Sequence, residues 1–269
     1  MHCSGCGYEA ASLTPTINER VAKISVDESL REAGLKSLRV RNFQTLLSRI
    51  NQRLTDKSFA RKRLLDVGAA HGWFVALASG QFECVGIEPD TAVREAAAAQ
   101  GISLLEGYFP EALPFESKFE VIVFNDVFEH IPDVGNVLVA CARHLSPEGL
   151  LVLNLPCSAG AIYRSSKMLY RLGWRGPFER MWQKDLASPH LHYFNRYSLT
   201  LLLKRNGFRN PAATVLPAVG FTGLYQRLHH ASGDGTLKTI LTWLLVVSAL
   251  PFLRLFESDI LAVISESER

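Results

Sequence analysis

An acid and two glycines are spaced along one short stretch so that they could bind a small charged ligand. The stretch reads Asp66-x-Gly68-x-Ala70-x-Gly72 and overlaps an apolar run at 64–67. A run of this length that ends at a glycine predicts a buried strand. Gly68 allows a sharp turn, and Gly72 allows a ligand to approach the start of the next helix closely. A carboxylate beside the turn would repel a phosphate, so the pattern indicates a positively charged ligand without phosphate.

A second acid, Glu88, ends the next predicted strand, 84–87. An acid in this position is placed to accept hydrogen bonds from ribose hydroxyls. A dinucleotide site would carry G-x-G-x-x-G, and the missing third glycine disfavours a nicotinamide-dependent reductase. The remaining alternative is an ordinary glycine turn in an α/β protein.

Strands and helices alternate through most of the 269 residues. The periodicity predicts helices over 25–54, 73–78, 91–100 and 134–145, and strands over 64–67, 84–87, 102–105, 120–125 and 150–155. Such alternation indicates an α/β fold with a doubly wound, mostly parallel sheet. Ligands of such sheets bind outside the carboxyl ends of the strands. The ends of the first, second and fourth strands should therefore meet in one crevice, at Gly68, Glu88 and Asn125–Asp126.

Four blocks of the sequence resemble the class I S-adenosylmethionine-dependent methyltransferases, and in particular the ubiquinone-biosynthesis-like O-methyltransferases. The blocks are the glycine loop and the segments 119–133, 144–156 and 190–208. Ala70 replaces the middle glycine of the family's loop. The resemblance implies a Rossmann-like sheet of seven strands whose last strand, 259–265, is antiparallel. It also implies a helical cap ahead of the first strand and S-adenosylmethionine as the cofactor.

The resemblance assigns roles to individual residues. Its cofactor-binding set is Asp66, Gly68, Ala70, Gly72, Glu88, Pro89, Tyr108, Asn125 and Asp126. His130 follows the strand that lines the crevice and is the first candidate for a general base. His192 is the second candidate and His190 the third. The alternative role for His130 is capping or packing at the start of the next helix.

Two observations argue against a nucleic-acid partner. Enzymes that methylate base amino groups carry (D/N)-P-P-(Y/F) after the fourth strand, whereas this chain has Asn125-Asp-Val-Phe128. The net charge of +3 also provides no strong positive field. The expected acceptor is therefore a small molecule, a glycan or a lipid-linked compound.

Two insertions interrupt the pattern. The first, 157–189, is rich in aromatic and cationic residues, and we expect it to cover the acceptor as a lid. The proposed lid residues are Tyr163, Arg171, Trp174, Trp182 and Tyr193. Aromatic faces bind sugars or rings, and arginines bind carboxylates or phosphates. The alternative is a helix whose rings pack on the core while its charges face water.

The second insertion, 219–256, contains an uncharged run at 239–253 that is short for a membrane span. We expect this apolar helical segment to form a buried pocket wall, and the alternative is peripheral membrane contact through 237–256. The predicted organisation is an N-terminal extension and helical cap at 1–60, followed by the methyltransferase domain at 61–269.

The five cysteines are too unevenly placed for a secreted disulfide framework, so we expect a reducing cytoplasm. No signal-peptide pattern begins the chain. Peripheral location at the inner face of the membrane is the alternative. Cys3 and Cys6 resemble half of a zinc knuckle, but no second C-x-x-C follows. We therefore expect no metal in the site and two thiols, or a remnant knuckle, at this end.

These patterns together predict a methyltransferase that transfers a methyl group from S-adenosylmethionine to an oxygen of the acceptor. The departures at Ala70 and Tyr108 motivate an alternative, a non-catalytic methyltransferase-like module that interacts with membrane machinery.

Overall fold

The computed structural model describes most of the chain. The described residues are 1–16, 28–55, 57, 62–184, 186–219, 224, 239–241, 243–244, 247–248 and 256–268. Most of the predicted apolar insertion at 219–256 therefore lies outside the described residues. In the described parts of the chain, no helix is both long and apolar enough to cross a membrane.

Seven strands form one sheet, as predicted. They are β2 (Arg63–Val67), β3 (Glu83–Glu88), β4 (Leu105–Glu106), β5 (Phe119–Asn125), β6 (Leu145–Pro156), β8 (Phe208–Leu216) and β9 (Ile260–Ser267). Their order is β4-β3-β2-β5-β6-β9-β8. Strands β4 to β6 pair in parallel, and β9 is antiparallel to both β6 and β8. The prediction of a doubly wound, mostly parallel sheet with an antiparallel last strand is confirmed.

Helices cover both faces of the sheet. They are α1 (Glu28–Leu54), α2 (Trp73–Ala78), α3 (Thr91–Ala98), α4 (Val134–His144), α5 (Ala161–Arg171), α6 (Arg175–Met181) and α7 (Arg196–Arg205), with a 3₁₀ turn at Phe128–His130. Residues 121–124 of β5 are fully buried. A continuous apolar run of this kind is expected for a parallel strand that is covered on both faces.

Side chains at the helix starts explain where α3, α4 and α7 begin. The Asp90 carboxylate accepts a hydrogen bond from the Val93 N–H (3.1 Å), and the Asp133 carboxylate accepts one from the Asn136 N–H (3.0 Å). Asn195 and Ser198 form a reciprocal capping box at α7. Each cap satisfies backbone donors that the helix itself leaves without partners.

The sequence predicts the third strand at 102–105, and this position is wrong because only residue 105 lies in the strand that forms. Strand β4 contains only Leu105 and Glu106, and both residues are exposed. Ile102 instead packs beside the glycine turn, where a Cβ on Gly72 would lie 2.5 Å from its Cγ2 atom. The apolar side chain at 102 is therefore explained by packing against the turn and not by strand pairing.

A second, two-stranded sheet was not predicted. It pairs β1 (Glu9–Ala10) with β7 (His192–Tyr193) in antiparallel register. The pairing attaches the N-terminal segment to the region that follows α6. Strands of two residues are too short to show a period of two in the sequence.

Candidate functional site

The turn between β2 and α2 is held open by two glycines with left-handed backbone angles. Gly68 has φ 68° and Gly72 has φ 70°. A Cβ on Gly68 would lie 2.6 Å from Val127, so the turn and the segment after β5 approach as closely as sterics allow. Ala70, which replaces a family glycine, also has a positive φ of 47°. Ala70 therefore adopts a left-handed backbone angle despite the Cβ penalty.

Glu88 connects the end of β3 to this turn. Its carboxylate accepts hydrogen bonds from the Ala70 N–H (2.8 Å) and the Asp90 N–H (2.9 Å). Burial raises the pKa of Glu88 although both N–H groups act in the opposite direction. The carboxylate still has lone pairs available, since each of its oxygens can accept more than one hydrogen bond.

Asp66 lies beneath the turn, and its side chain is 1% exposed. Burial is the main reason that its pKa rises to about 8, and the negative charge of Glu88 adds to the shift. The Asn125 amide donates to Asp66 at 3.4 Å and opposes it. A positive charge bound beside Asp66 would favour its ionised form, so the site is suited to a cationic ligand.

The turn and the ends of β2 and β5 enclose a crevice that α1 covers. Its lining residues are Arg39, Phe43, Asp66, Gly68, Ala69, Ala70, His71, Trp73, Phe74, Asn125 and Asp126. The Arg39 guanidinium lies 3.5 Å from the Asp126 carboxylate. Lys36, also on α1, lies over the Trp73 ring at 5.2 Å from its centroid. Five of the predicted cofactor residues line this crevice together.

The sequence predicts a helical cap ahead of the first strand but does not single out Arg39 of α1 as a residue of the site. Arg39 precedes Phe43 and Leu46 by four and seven residues, which puts it on the apolar face of the helix. A cation on that face was the available signal. The other four predicted residues, Gly72, Glu88, Pro89 and Tyr108, are not among the residues that line the crevice, and Tyr108 is 55% exposed.

A buried acid and two imidazoles meet where the 3₁₀ turn follows β5. Glu129 is 1% exposed, and its Oε1 lies 3.8 Å from Nε2 of His130 and 3.9 Å from Nε2 of His190. Neither carboxylate oxygen accepts a hydrogen bond from another residue that the structure describes. Burial, and next the charge of Asp126, raise the pKa of Glu129 well above its usual range. The cluster begins three residues after Asp126, which lines the crevice at the end of β5.

The hydrogen bonds of the two imidazoles establish which nitrogen carries the proton. His130 Nδ1 lies 2.8 Å from the Pro189 carbonyl, which can only accept, so Nδ1 is protonated and Nε2 is not. The Tyr193 hydroxyl donates to the Met181 carbonyl (2.8 Å) and therefore accepts from Nδ1 of His190 (3.1 Å). Nε2 of His190 accepts a hydrogen bond from the Gln183 amide (3.0 Å), so Nε2 of His130 is the imidazole nitrogen of this pair that can take up a proton beside Glu129. The cluster can hold a proton at Glu129 or at His130.

His192 occupies a different environment. Its Nδ1 is hydrogen-bonded to the Tyr8 hydroxyl and its Nε2 to the Ile131 carbonyl (2.8 Å). Burial lowers the pKa of His192. His192 thus links β7 to the residue before β1 and to the residue after the 3₁₀ turn. These hydrogen bonds position the three segments relative to one another. The proposed catalytic role of His192 stays a prediction.

The proposed lid residues fall into two groups. Tyr163, Trp182 and Tyr193 form a buried aromatic cluster with ring centroids 4.3 to 6.5 Å apart. Tyr193 links this cluster to His190, as described above. Arg171 and Trp174 are exposed, and Trp174 is 69% exposed.

A family model described as a methyltransferase domain matches residues 39–212. This match covers well over half of the chain. The chain belongs to this methyltransferase family. The match to the methyltransferase domain begins at Arg39 and ends in β8, so it contains the crevice, the turn and the Glu129 cluster.

Two curated relatives are ubiquinone biosynthesis O-methyltransferases. The protein of Rhodopseudomonas palustris is 33% identical over 106 residues, which are 36% of this chain and 40% of the relative. The protein of a Caulobacter species is 31% identical over 149 residues, which are 51% of this chain and 58% of the relative. This methyltransferase chain therefore spans about half of the length of the curated relatives it matches.

Solved structures show the same fold. Phosphoethanolamine N-methyltransferase 2 of Haemonchus contortus, solved in complex with S-adenosyl-L-methionine, is similar with a TM-score of 0.61 and 13% identity. The similarity covers 93% of this chain and 59% of that chain. At this level of identity, the likeness supports the methyltransferase fold alone.

Proposed function

We propose that this domain binds S-adenosylmethionine in the crevice and transfers its methyl group to an oxygen of a small-molecule, glycan or lipid-linked acceptor. The observation that carries the proposal is the buried Glu129–His130–His190 cluster. It lies beside a crevice whose charges suit S-adenosylmethionine. The crevice supports the donor, and the cluster supports an acceptor that must lose a proton.

The charges of the crevice fit this cofactor. Asp66 and Asp126 supply negative charge for its ammonium and sulfonium groups. The forked guanidinium of Arg39 suits its carboxylate. Glu88 ends β3, where ribose hydroxyls are bound in sheets of this kind. The missing Cβ atoms of Gly68 and Gly72 make room for Val127 and Ile102, which hold the turn in the shape that lines the crevice.

The bound cofactor supplies an electrophilic methyl group on a sulfonium. The protein holds the acceptor oxygen in line with it, and positioning can account for about 7–11 kcal/mol of the barrier in favourable cases. We assign the acceptor proton to Nε2 of His130, which is 15% exposed and the more accessible imidazole of the pair. The positive charge of the resulting imidazolium favours the ionised form of Glu129, which can then stabilise it as an ion pair, and the Pro189 carbonyl keeps the ring oriented.

Methyl transfer from labelled S-adenosylmethionine to a panel of phenols, hydroxylated lipids and glycans tests the proposal. For an active acceptor, His130→Asn should reduce turnover by roughly 10²–10⁴-fold and leave cofactor affinity unchanged. Asparagine keeps a donor for the Pro189 carbonyl but provides no base.

His144 provides a matched control. It is also buried, and its Nδ1 donates to the Ser117 carbonyl (2.9 Å), but it ends α4 directly before β6, at the amino ends of the parallel strands, whereas the crevice lies at their carboxyl ends. His144→Asn should therefore leave turnover unchanged. Equal losses in both variants would contradict the assignment of His130. A folded protein that binds the cofactor and methylates nothing in the panel would favour the non-catalytic module.

A further inference from the structure

Helices α5 and α6 form a hairpin, residues 161–181, that exposes large apolar side chains to solvent. Four such side chains lie between positions 168 and 174: Met168, Tyr170, Leu172 and Trp174. Leu172 is 73% exposed, and every residue from 170 to 177 is exposed. Single exposed apolar residues are common on soluble proteins, whereas a group of them marks a surface that contacts another molecule or a membrane.

The inner side of the hairpin is packed against the domain. The Tyr163 ring of α5 lies 5.5 Å from the Phe178 ring of α6 and 4.3 Å from the Tyr193 ring, centroid to centroid. The Asp259 carboxylate, directly before β9, accepts a hydrogen bond from the Tyr163 N–H (2.7 Å). Because these contacts fix the inner side of α5, the exposed side chains belong to a fixed surface of the domain.

Backbone hydrogen bonds also shape the tip of the hairpin. The Trp174 N–H donates to the Leu169 carbonyl (2.9 Å), and the Gly173 N–H donates to the Tyr170 carbonyl (3.0 Å). Gly173 has φ 96°, an angle that favours glycine. This pair of bonds is a Schellman motif, which ends α5 and puts an exposed apolar residue directly before and directly after the glycine.

The exposed side of the hairpin is positively charged. Glu179 is the one acid between 161 and 184, and it is paired with Lys184 (3.1 Å). The exposed arginines of the hairpin are Arg164, Arg171, Arg175 and Arg180. In the part of the chain that the structure describes, the ion pairs of this segment are formed by its lysines and not by these arginines.

Cations and apolar side chains share one helix face. Arg164, Met168 and Arg171 follow one another at spacings of four and three residues, which aligns them along the solvent side of α5. Tyr163 and Ser166, which are buried, lie on the other side. The hairpin therefore presents a mixed surface of arginine, aromatic and aliphatic side chains.

This combination suits the surface of an anionic phospholipid membrane. Tryptophan and tyrosine favour the boundary between headgroups and acyl chains because each has an apolar ring and a polar edge. Long arginine side chains can reach the lipid phosphates while their stems lie along apolar surface. A nucleic acid would contact the arginines but leave Leu172 and Met168 without a partner. The net charge of the whole chain is only +3, so the attraction to anionic lipid is local to this surface.

We propose that the α5–α6 hairpin docks this protein on an anionic phospholipid surface. Leu172 and Trp174 insert among the headgroups, and the four exposed arginines bind lipid phosphates. The inner side of the hairpin contacts Tyr193, whose hydroxyl is hydrogen-bonded to His190 (3.1 Å). Docking therefore brings the lipid surface to the side of the domain that carries the Glu129 cluster. Lipid docking and methyl transfer are separate properties, and either can fail without the other.

Co-sedimentation of the full chain with lipid vesicles tests the docking. We expect binding to vesicles of equimolar phosphatidylglycerol and phosphatidylcholine, much weaker binding to phosphatidylcholine alone, and release at high salt, which screens the charges. The double variant Arg171→Gln/Trp174→Ser should weaken binding to the anionic vesicles by about tenfold or more. Its urea unfolding midpoint should equal that of the wild type, because both side chains are exposed.

Phe115→Ser/Arg143→Gln is the matched control. It also removes one exposed aromatic ring and one exposed arginine, which lie 4.9 Å apart, but Phe115 precedes β5 and Arg143 is in the last turn of α4, at the amino ends of the parallel strands. The control should bind anionic vesicles as tightly as the wild type does.

Three results would overturn the proposal. One is equal weakening in the two double variants, and another is equal binding of the wild type to neutral and anionic vesicles. The third is a wild-type protein that stays in the supernatant, which would leave another protein or the chain's own apolar segment as the occupant of the hairpin surface. Normal binding of the hairpin variant combined with loss of binding in Leu241→Ser/Leu244→Ser would assign docking to that segment and also contradict the proposal.

Discussion

Replacing Asp66 by asparagine is expected to stabilise the protein while it weakens cofactor binding. In the folded protein, burial raises the pKa of this carboxyl from its ordinary 3.8 to about 8. A group whose folded pKa is raised in this way is protonated in the folded state and ionised in the unfolded state between the two values. The loss of folding stability that the buried Asp66 carboxyl causes therefore begins as the pH rises above about 4 and reaches its full value above about 8.

The expected magnitude follows from this interval. Each pH unit between the two pKa values changes the free energy of unfolding by about 1.4 kcal/mol. The advantage of Asp66→Asn over the wild type should therefore grow by roughly 4 kcal/mol from about pH 5 to about pH 8. The oxygen of the new amide can accept the hydrogen bond that Asn125 donates to Asp66, and the Asn154 amide can continue to donate to Asn125 Oδ1 (3.4 Å).

Urea unfolding at the two pH values measures the advantage, provided that the m-value is unchanged. Glu266→Gln is a control in which the change in the free energy of unfolding should have the opposite sign. Burial raises the pKa of Glu266, but Asn210 and Lys57 outweigh this effect and the net shift is downward. Its carboxylate should stabilise the protein above about pH 4 and lose that effect in acid. An Asp66→Asn advantage that is equal at both pH values would refute the reasoning.

Three further substitutions test the crevice and its supports. Gly72→Ala should destabilise the fold by about 1–3 kcal/mol in thermal unfolding, because of its positive φ and the nearby Ile102, whereas Gly80→Ala, with open space around it, should be close to neutral. Arg39→Gln should weaken cofactor binding about tenfold to a hundredfold in calorimetry, and the exposed Arg41→Gln should not; equal losses would remove Arg39 from the site. Asp133→Ala should cost about 0.5–2 kcal/mol in urea unfolding, since it removes the cap of α4, and an unchanged midpoint would contradict the capping role.

The parts of the fold that could be predicted are those with long, regular patterns. The β5 run and the glycine turn were recognisable because burial on both faces requires continuous apolar residues, and a left-handed turn favours glycine. Strand β4 was placed too early because Ile102 and Leu104 are apolar for another reason. A Cβ on Gly86 would lie 2.5 Å from Leu104, so this side chain packs over the neighbouring strand.

The crevice could be predicted from the sequence, but the Glu129 cluster could not. The ends of parallel strands converge by topology, so Asp66, Gly68 and Asn125 could be brought together from the sequence alone. The role of Glu129 could not, because its burial depends on the segment at 189–191 returning beside the 3₁₀ turn. The Leu191 N–H donates to the Glu129 carbonyl (2.8 Å), a long-range contact that no local pattern encodes.

Calorimetric titration with S-adenosylmethionine and S-adenosylhomocysteine tests the central claim most directly. The purified chain should bind both with a dissociation constant near micromolar, which corresponds to about −8 kcal/mol. Gly72→Arg should abolish binding, because a long side chain there would enter the space beside Ile102 and the turn. A folded wild-type protein that binds neither compound would contradict the claim that this crevice is a methyl-donor site.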